Sequence, residues 1–323
     1  MAWRLRLVPE KTNIDFFRWQ WVTFGGSMLL SVLAILAWAV IGLNFGIDFK
    51  GGTTIRTEST QPVDVGAYRQ AMTGLPVGDV LITEVFDPTF REDQHVAMVR
   101  ISAQEGAEAI TPETVQAVEA ALQAQDPALK IASVESVGPK VSGELIWAAI
   151  LSMTAATACI LIYIWLRFEW QYSVGAVAAL VHDVFITIGI FAVFQIKFDL
   201  AIIAALLTIL GYSINDTVVV FDRLRENLMK YKTMPLRDVM NLTVNETLSR
   251  TLMTSGTTLV ALIAMLIFGG DVIRGFVFAI TVGIVLGTYS SVYVAKNIVL
   301  MIGLDRSEKK KSSAPDEFAN IDA

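Results

Sequence analysis

Cysteine is almost absent. The single one, Cys159, sits inside the apolar run LIWAAILSMTAATACILIYIWL, so no internal disulfide is possible and a cysteine-built zinc site is excluded. Charge is scarce as well, at 17% of 323 residues, and the net charge of -6 argues against nucleic acid as a partner. Also missing are a P-loop, an HExxH helix, a nucleophile elbow and a dinucleotide fingerprint, so the sequence points to neither an enzyme nor a bound cofactor or metal. What remains is apolar: 54% of residues are hydrophobic and mean hydropathy is +0.56, which places the chain among membrane proteins.

Six stretches are long enough to cross a hydrocarbon core about 30 Å thick, which takes about 20 helical residues. They lie near residues 22–43, 145–166, 174–194, 200–221, 251–269 and 275–295. The first follows a basic leader (Arg4, Arg6, Lys11, Arg18), but it is longer than a signal-peptide core and runs into LNFGID without a small-residue cleavage site, so it reads as a retained helix. With a cytoplasmic N-terminus (1–21), the inside segments carry 16 Lys and Arg and the outside ones 9, most of the latter in one long loop that the positive-inside rule discounts. Both termini are therefore expected in the cytoplasm, with a cytoplasmic loop at 222–250 in the 145–302 bundle.

The long loop, residues 44–144, has its own pattern: TTIRTE, VDVGAYRQAM, DVLITEVF, HVAMVRIS, TPETVQAVEAALQAQ and KIASVESV read as βαββαβ, the order of a ferredoxin-like α+β unit. Thr111 is the expected N-cap of its second helix, followed by proline and an acid. Its 15 acids against 7 bases serve either solubility or a translocating or basic partner. GIDFKGGT, with Asp48, Gly51 and Gly52, follows a membrane helix and precedes a strand; a tight turn at the membrane exit suits it better than phosphate binding. The tail, residues 303–323, is polar and expected to be disordered. Its Lys309, Lys310 and Lys311 either attract anionic headgroups, at about 1 kcal/mol each, or act only as a topology signal.

Polar residues inside the apolar spans carry the functional reading. On the fourth span Thr208, Tyr212 and Asp216 recur every fourth residue with Ser213 beside them, which makes one side polar. An Asp at mid-bilayer costs about 2.5 to 3.5 kcal/mol on the insertion scale, so it is expected to face protein or a water-filled cavity. His182 and Asp183 lie in the third span with Thr187 one turn on; adjacent side chains point about 100° apart, so only one of the two is expected to face a given seam and join Asp216. Asn215 with Ser213 and Thr217 reads as polar packing between helices. Arg250 opens the fifth span, followed by Thr251, Thr254, Ser255 and Thr258. It either snorkels to the headgroups or swings toward Asp216 when that residue is ionised and away when it is neutral. A carboxyl that changes charge with an Arg tracking it is the minimum equipment of a proton-driven device; an inert interhelical contact is the plainer alternative.

Several strings together resemble one family. FGIDFKGGT (Phe45 to Thr53), VGP (Val137 to Pro139), His182-Asp183, FDL (Phe198 to Leu200), GYSINDTVVVFDR (Gly211 to Arg223) and SRT (Ser249 to Thr251) are similar to the SecF family of protein-export membrane proteins, over roughly residues 14–302. In the sister SecD family the corresponding helix typically reads Ala-Val-Asp-Ala-Asn and the outer region is much larger. The resemblance implies half of a resistance-nodulation-division (RND) type membrane fold, with six transmembrane helices and a ferredoxin-like extracytoplasmic domain in the bacterial inner membrane. It implies a twelve-helix unit with SecD, which would cover the polar side of the fourth helix. It also implies preprotein release from the SecYEG channel and SecA, with YajC and YidC as further partners, all driven by the proton gradient. The family's proton-carrying Asp falls on Asp216 and its Arg on Arg250. Two competing readings are half of a small-molecule or lipid exporter of the same superfamily, and a passive scaffold for the translocon.

Overall fold

The computed structural model describes residues 12–85, 87, 90–103 and 110–304. Arg4, Arg6, Lys11 and the tail with Lys309 to Lys311 lie outside the described residues.

The chain begins with helix α1 (Gln20–Ile41), a two-residue strand β1 (Asn44–Phe45) and a one-turn helix α2 (Ile47–Lys50). An α+β domain follows: β2 (Gly52–Ser59), α3 (Val65–Ala71), β3 (Val80–Val85), β4 (His95–Ser102), α4 (Pro112–Gln123) and β5 (Lys130–Val137). The remainder is helical: α5 (Pro139–Arg167), α6 (Trp170–Val193), short strand β6 (Lys197–Phe198), α7 (Leu200–Lys230), α8 (Leu236–Phe268), α9 (Asp271–Ser290), a π-helical stretch (Ser291–Ala295) and α10 (Lys296–Ile302). The expected six spans are all present. Several run longer than their apolar stretches, because α5, α7 and α8 each extend a polar turn or more past the hydrophobic segment.

The sheet has the order β3-β4-β2-β5 with every pairing antiparallel, which is the ferredoxin-like arrangement expected from βαββαβ. Period-2 alternation turns Ile55, Val99 and Ile101 toward Val118 and Leu122 of α4, and α3 adds Tyr68. Thr111 caps α4 by accepting from the Thr114 amide at 3.4 Å.

In the bundle, α6, α7 and α9 form the interior, while α1, α5 and α8 present apolar faces outward, including Trp147, Leu166, Val260 and Phe268. Surfaces of this kind match hydrocarbon rather than water. Small residues set the close approaches: a Cβ on Gly283 would lie 2.3 Å from Ile209 Cγ1, and one on Gly287 would lie 2.9 Å from Ser213 Cβ. The α7–α9 seam therefore closes tightly around the polar residues of α7.

Candidate functional site

The polar side expected on α7 divides in two. Asp216 is 3% exposed and Ser213 and Thr217 are buried with it, but Thr208 faces outward and hydrogen-bonds only the Ala204 carbonyl of its own helix, at 2.8 Å. The reason is helical drift: each step of four residues rotates about 40°, so two steps carry Asp216 about 80° away from Thr208. Tyr212 lies between them, half-buried, and donates to Thr258 Oγ1 at 3.3 Å. Asn215 is exposed and, among the described residues, makes no side-chain hydrogen bond, so it does not tie this chain's own helices together. Ala201, Ala204, Thr208, Gly211 and Asn215 form an uncovered stripe along α7.

His182 and Asp183 are both buried, at 4% and 0% exposure, without facing one common seam. Helix α6 is packed on more than one side, by α1 and by α7 with α9, so residues pointing 100° apart both meet protein. Asp183 Oδ2 accepts from Ser213 Oγ at 2.7 Å and from Ser290 Oγ at 2.8 Å, and Asp183 Oδ1 lies 2.9 Å from His182 Nδ1. Neither residue hydrogen-bonds Asp216. Thr187 is fully buried, but its hydroxyl donates to the Asp183 backbone carbonyl at 2.8 Å and not to the carboxylate. Nε2 of His182 is buried with no hydrogen-bond partner among the described residues.

Asp216 is treated differently. Among the described residues its one side-chain hydrogen-bond partner is Ser255 on α8, whose hydroxyl is 3.3 Å from Asp216 Oδ2 and only 2.7 Å from Thr288 Oγ1. Thr288 has its own acceptor in the Ile284 carbonyl at 2.8 Å, so two oxygens compete for the single Ser255 hydrogen. Arg250 is exposed at the same end of the bundle and forms no ion pair with Asp216 among the described residues. It lines a cavity of about 550 Å³ together with Arg167, Val218, Asp222, Arg223 and Glu246, and Asp216 is not among the lining residues. Arg167 pairs with Asp222 at 3.0 Å and Arg223 with Glu246 at 2.7 Å, while Arg250 has no ion pair among the described residues.

The GIDFKGGT motif does more than turn the chain. Gly51 ends α2 at φ 72°, and Gly52 opens β2 at φ 127°, where a Cβ would lie 2.4 Å from the Ile101 carbonyl oxygen, so both positions demand glycine. Asp48 Oδ2 accepts from the Leu200 amide at 3.0 Å and so caps the N-terminus of α7, while β1 pairs in parallel with β6. The FGIDFKGGT and FDL strings are thus one spatial unit at the start of the helix that carries Asp216.

Lys296 was legible only as one more basic residue after the last span. It is 1% exposed, its Nζ has no hydrogen-bond partner among the described residues, and it sits 4.1 Å from the Phe17 ring centroid, 5.1 Å from Phe16 and 5.6 Å from Tyr293. The segment bearing those phenylalanines is fastened to α8: the Ile14 amide donates to Asn245 Oδ1 at 2.8 Å and the Phe16 amide to Asn241 Oδ1 at 2.9 Å. No cluster of potential metal ligands occurs among the described residues.

Fold and site together define a multi-pass helical membrane protein that buries carboxyl groups between its helices and carries one ferredoxin-like domain. The family model for "Protein export membrane protein SecD/SecF, C-terminal" matches residues 117–305, and that for the "SecD/SecF GG Motif" matches residues 36–63. The chain is 70% identical over 324 residues to the protein translocase subunit SecF of Cereibacter sphaeroides, covering all of both chains. It is 68% identical over 326 residues to that of Rhodobacter capsulatus, covering 99% of this chain and 98% of the relative. The crystal structure of SecDF, a translocon-associated membrane protein from Thermus thermophilus, superposes with a TM-score of 0.80 at 34% identity over 92% of this chain. A SecDF structure in a super-membrane-facing form gives 0.67 at 36% identity over 93% of this chain. This chain spans only 39% and 40% of the length of those two structures. It belongs to the SecD/SecF family of protein export membrane proteins, in the SecF branch.

Proposed function

We propose that this chain is the SecF-type half of a proton-driven accessory to the Sec protein translocase. It spans the bacterial inner membrane with both termini cytoplasmic and with residues 44–144 in the periplasm. Asp216 carries the proton, and Arg250 follows its charge from the cytoplasmic mouth of the cavity. The observation that carries this reading is the unequal treatment of two buried acids: Asp183 has two serine donors on one carboxylate oxygen and His182 Nδ1 at 2.9 Å from the other, whereas Asp216 shares one serine hydrogen with a competitor. An acid with few fixed donors can change charge without breaking a network. The gradient supplies about 2.3 kcal/mol per proton per 100 mV, enough to bias a two-state helix arrangement.

A SecD partner completes the unit by covering the stripe from Ala201 to Asn215, where small side chains permit close helix contact. SecYEG, SecA, YajC and YidC act around it on a translocating preprotein, and the ferredoxin-like domain, with its acidic surface, meets that preprotein outside the membrane. The role is transport, in keeping with the naming of its relatives as protein translocase subunits. Replacing Asp216→Asn in the assembled translocase is expected to abolish gradient-stimulated export at unchanged protein abundance. Normal export with normal sensitivity to an ionophore in that variant overturns the proposal.

A further inference from the structure

Asp183 does not touch Asp216, yet it holds a hydroxyl that lies about one turn from Asp216 on the same helix. Ser213 precedes Asp216 by three residues, and side chains three apart on a helix are neighbours. Helical side chains also lean toward the N-terminus, so the Asp216 carboxyl is tilted toward the turn that bears Ser213. In the structure that hydroxyl is turned away across the α6–α7 seam, donating to Asp183 Oδ2 at 2.7 Å. Ser290 of α9 joins the same oxygen at 2.8 Å, and Gly287 leaves room for the approach, since a Cβ there would lie 3.0 Å from Ser213 Oγ.

We propose that Asp183 is a positioning residue that withholds the Ser213 hydroxyl from Asp216 and thereby keeps Asp216 short of hydrogen-bond donors. This deepens the proton-carrier reading of Asp216 and rests on it. The physical logic is competition for one hydrogen. A carboxylate already accepting from Ser290, with His182 Nδ1 on its other oxygen, draws Ser213 into a cooperative cluster that Asp216 cannot match. The remaining donor near Asp216, Ser255, has Thr288 as its nearer partner. Charged groups facing the pair do not alter this account. His182 is engaged with Asp183, Arg250 makes no ion pair with Asp216, and the Lys296 Nζ is enclosed by Phe16, Phe17 and Tyr293.

Dicyclohexylcarbodiimide reads the difference, because it adds to protonated carboxyls in apolar surroundings and spares carboxylates held by donors. With the full chain in native membrane vesicles at neutral pH, mass spectrometry is expected to find the adduct on Asp216 and not on Asp183. In Asp183→Ala the freed Ser213 hydroxyl turns to Asp216, and labelling there is expected to fall about tenfold, the worth of one hydrogen bond to a charged group. Asp183→Ala combined with Ser213→Ala is expected to restore it. A purely structural Asp183 predicts no such rescue, since the second substitution only removes more contacts. Adduct on Asp183, or on neither acid, in the unaltered chain overturns the proposal without any variant having to fold. So does unchanged Asp216 labelling in Asp183→Ala, or failure of the double variant to recover. Export assays on Asp216→Asn are independent of these readings, so the carrier role can fail while the withheld-donor geometry stands.

Discussion

Asp183 and Asp216 are both buried in the same bundle, on neighbouring helices, and they are supported in opposite ways. Asp183 has three polar partners between 2.7 and 2.9 Å, while Asp216 has one, at 3.3 Å and contested. The same contrast recurs elsewhere in the molecule. In the ferredoxin-like domain Asp126 is satisfied, accepting from the Tyr68 hydroxyl at 3.0 Å and from the Ala128 amide at 3.0 Å. At the Arg250 end of the bundle Lys296 is buried with aromatic faces but no hydrogen-bond partner among the described residues. Satisfied polar groups hold structure together, and deleting one strands its partners. Unsatisfied ones cost stability to keep, and they are where function or conformational change is to be sought.

That contrast orders five expected outcomes. Asp183→Leu leaves Ser213, Ser290 and His182 without their common partner, and about 3 to 5 kcal/mol of stability should be lost, seen as a fall in abundance and in the thermal midpoint of the detergent-purified chain. A variant of normal stability would erase the distinction between the two acids. Asp126→Ala should cost about 1 to 3 kcal/mol, read by hydrogen exchange confined to the ferredoxin-like domain.

The Asp126 contact also makes a pH prediction. Burial, and then the hydrogen bond to Asp126, raise the Tyr68 phenol well above its ordinary value. A raised phenol keeps its proton in the folded state. Its contribution is therefore complete below the unfolded value of about 10 and declines above it, as the unfolded chain ionises first. Stability of the domain should fall above about pH 10, and Tyr68→Phe should remove that part of the slope.

Lys296→Met keeps the stem volume and removes a buried amine that has no hydrogen-bond partner among the described residues. Stability should be unchanged or rise by about 1 kcal/mol, and a loss of several kcal/mol would mean that the aromatic contacts outweigh desolvation. The smallest effect is expected at Asp216→Asn, within about 1 kcal/mol in thermal unfolding, because so little is bonded to the carboxyl. This variant sharpens the contrast most, since its functional effect is expected to be total.

Much of this was legible in the sequence. The six spans, the βαββαβ order and the Thr111 cap follow from local rules: hydrophobic run length, alternation and capping chemistry act over a few residues and leave direct traces. Asp216 was legible because an acid in an apolar run is costly wherever its neighbours lie. The pairing of Asp48 with the Leu200 amide was not, because 152 residues separate them and a cap donated from another segment leaves no local pattern. The face shared by Thr208 and Asp216 was misjudged, since a repeat of four only approximates 3.6 and the error grows with each turn.

The sequence by itself determined which residues enter the membrane, which domain stays outside the bundle and which side chains are out of place there, because those depend on transfer energies summed along the chain. Only the tertiary structure decided which misplaced side chain is satisfied. Donor number is fixed by helices meeting at particular rotations, so His182 and Asp183 both became interior when α6 was packed from two sides. Lys296 went into an aromatic cage only because residues 12–19 fold back across the helix ends. Asp216 was left short of donors because Ser213, its neighbour in sequence, found Asp183 first.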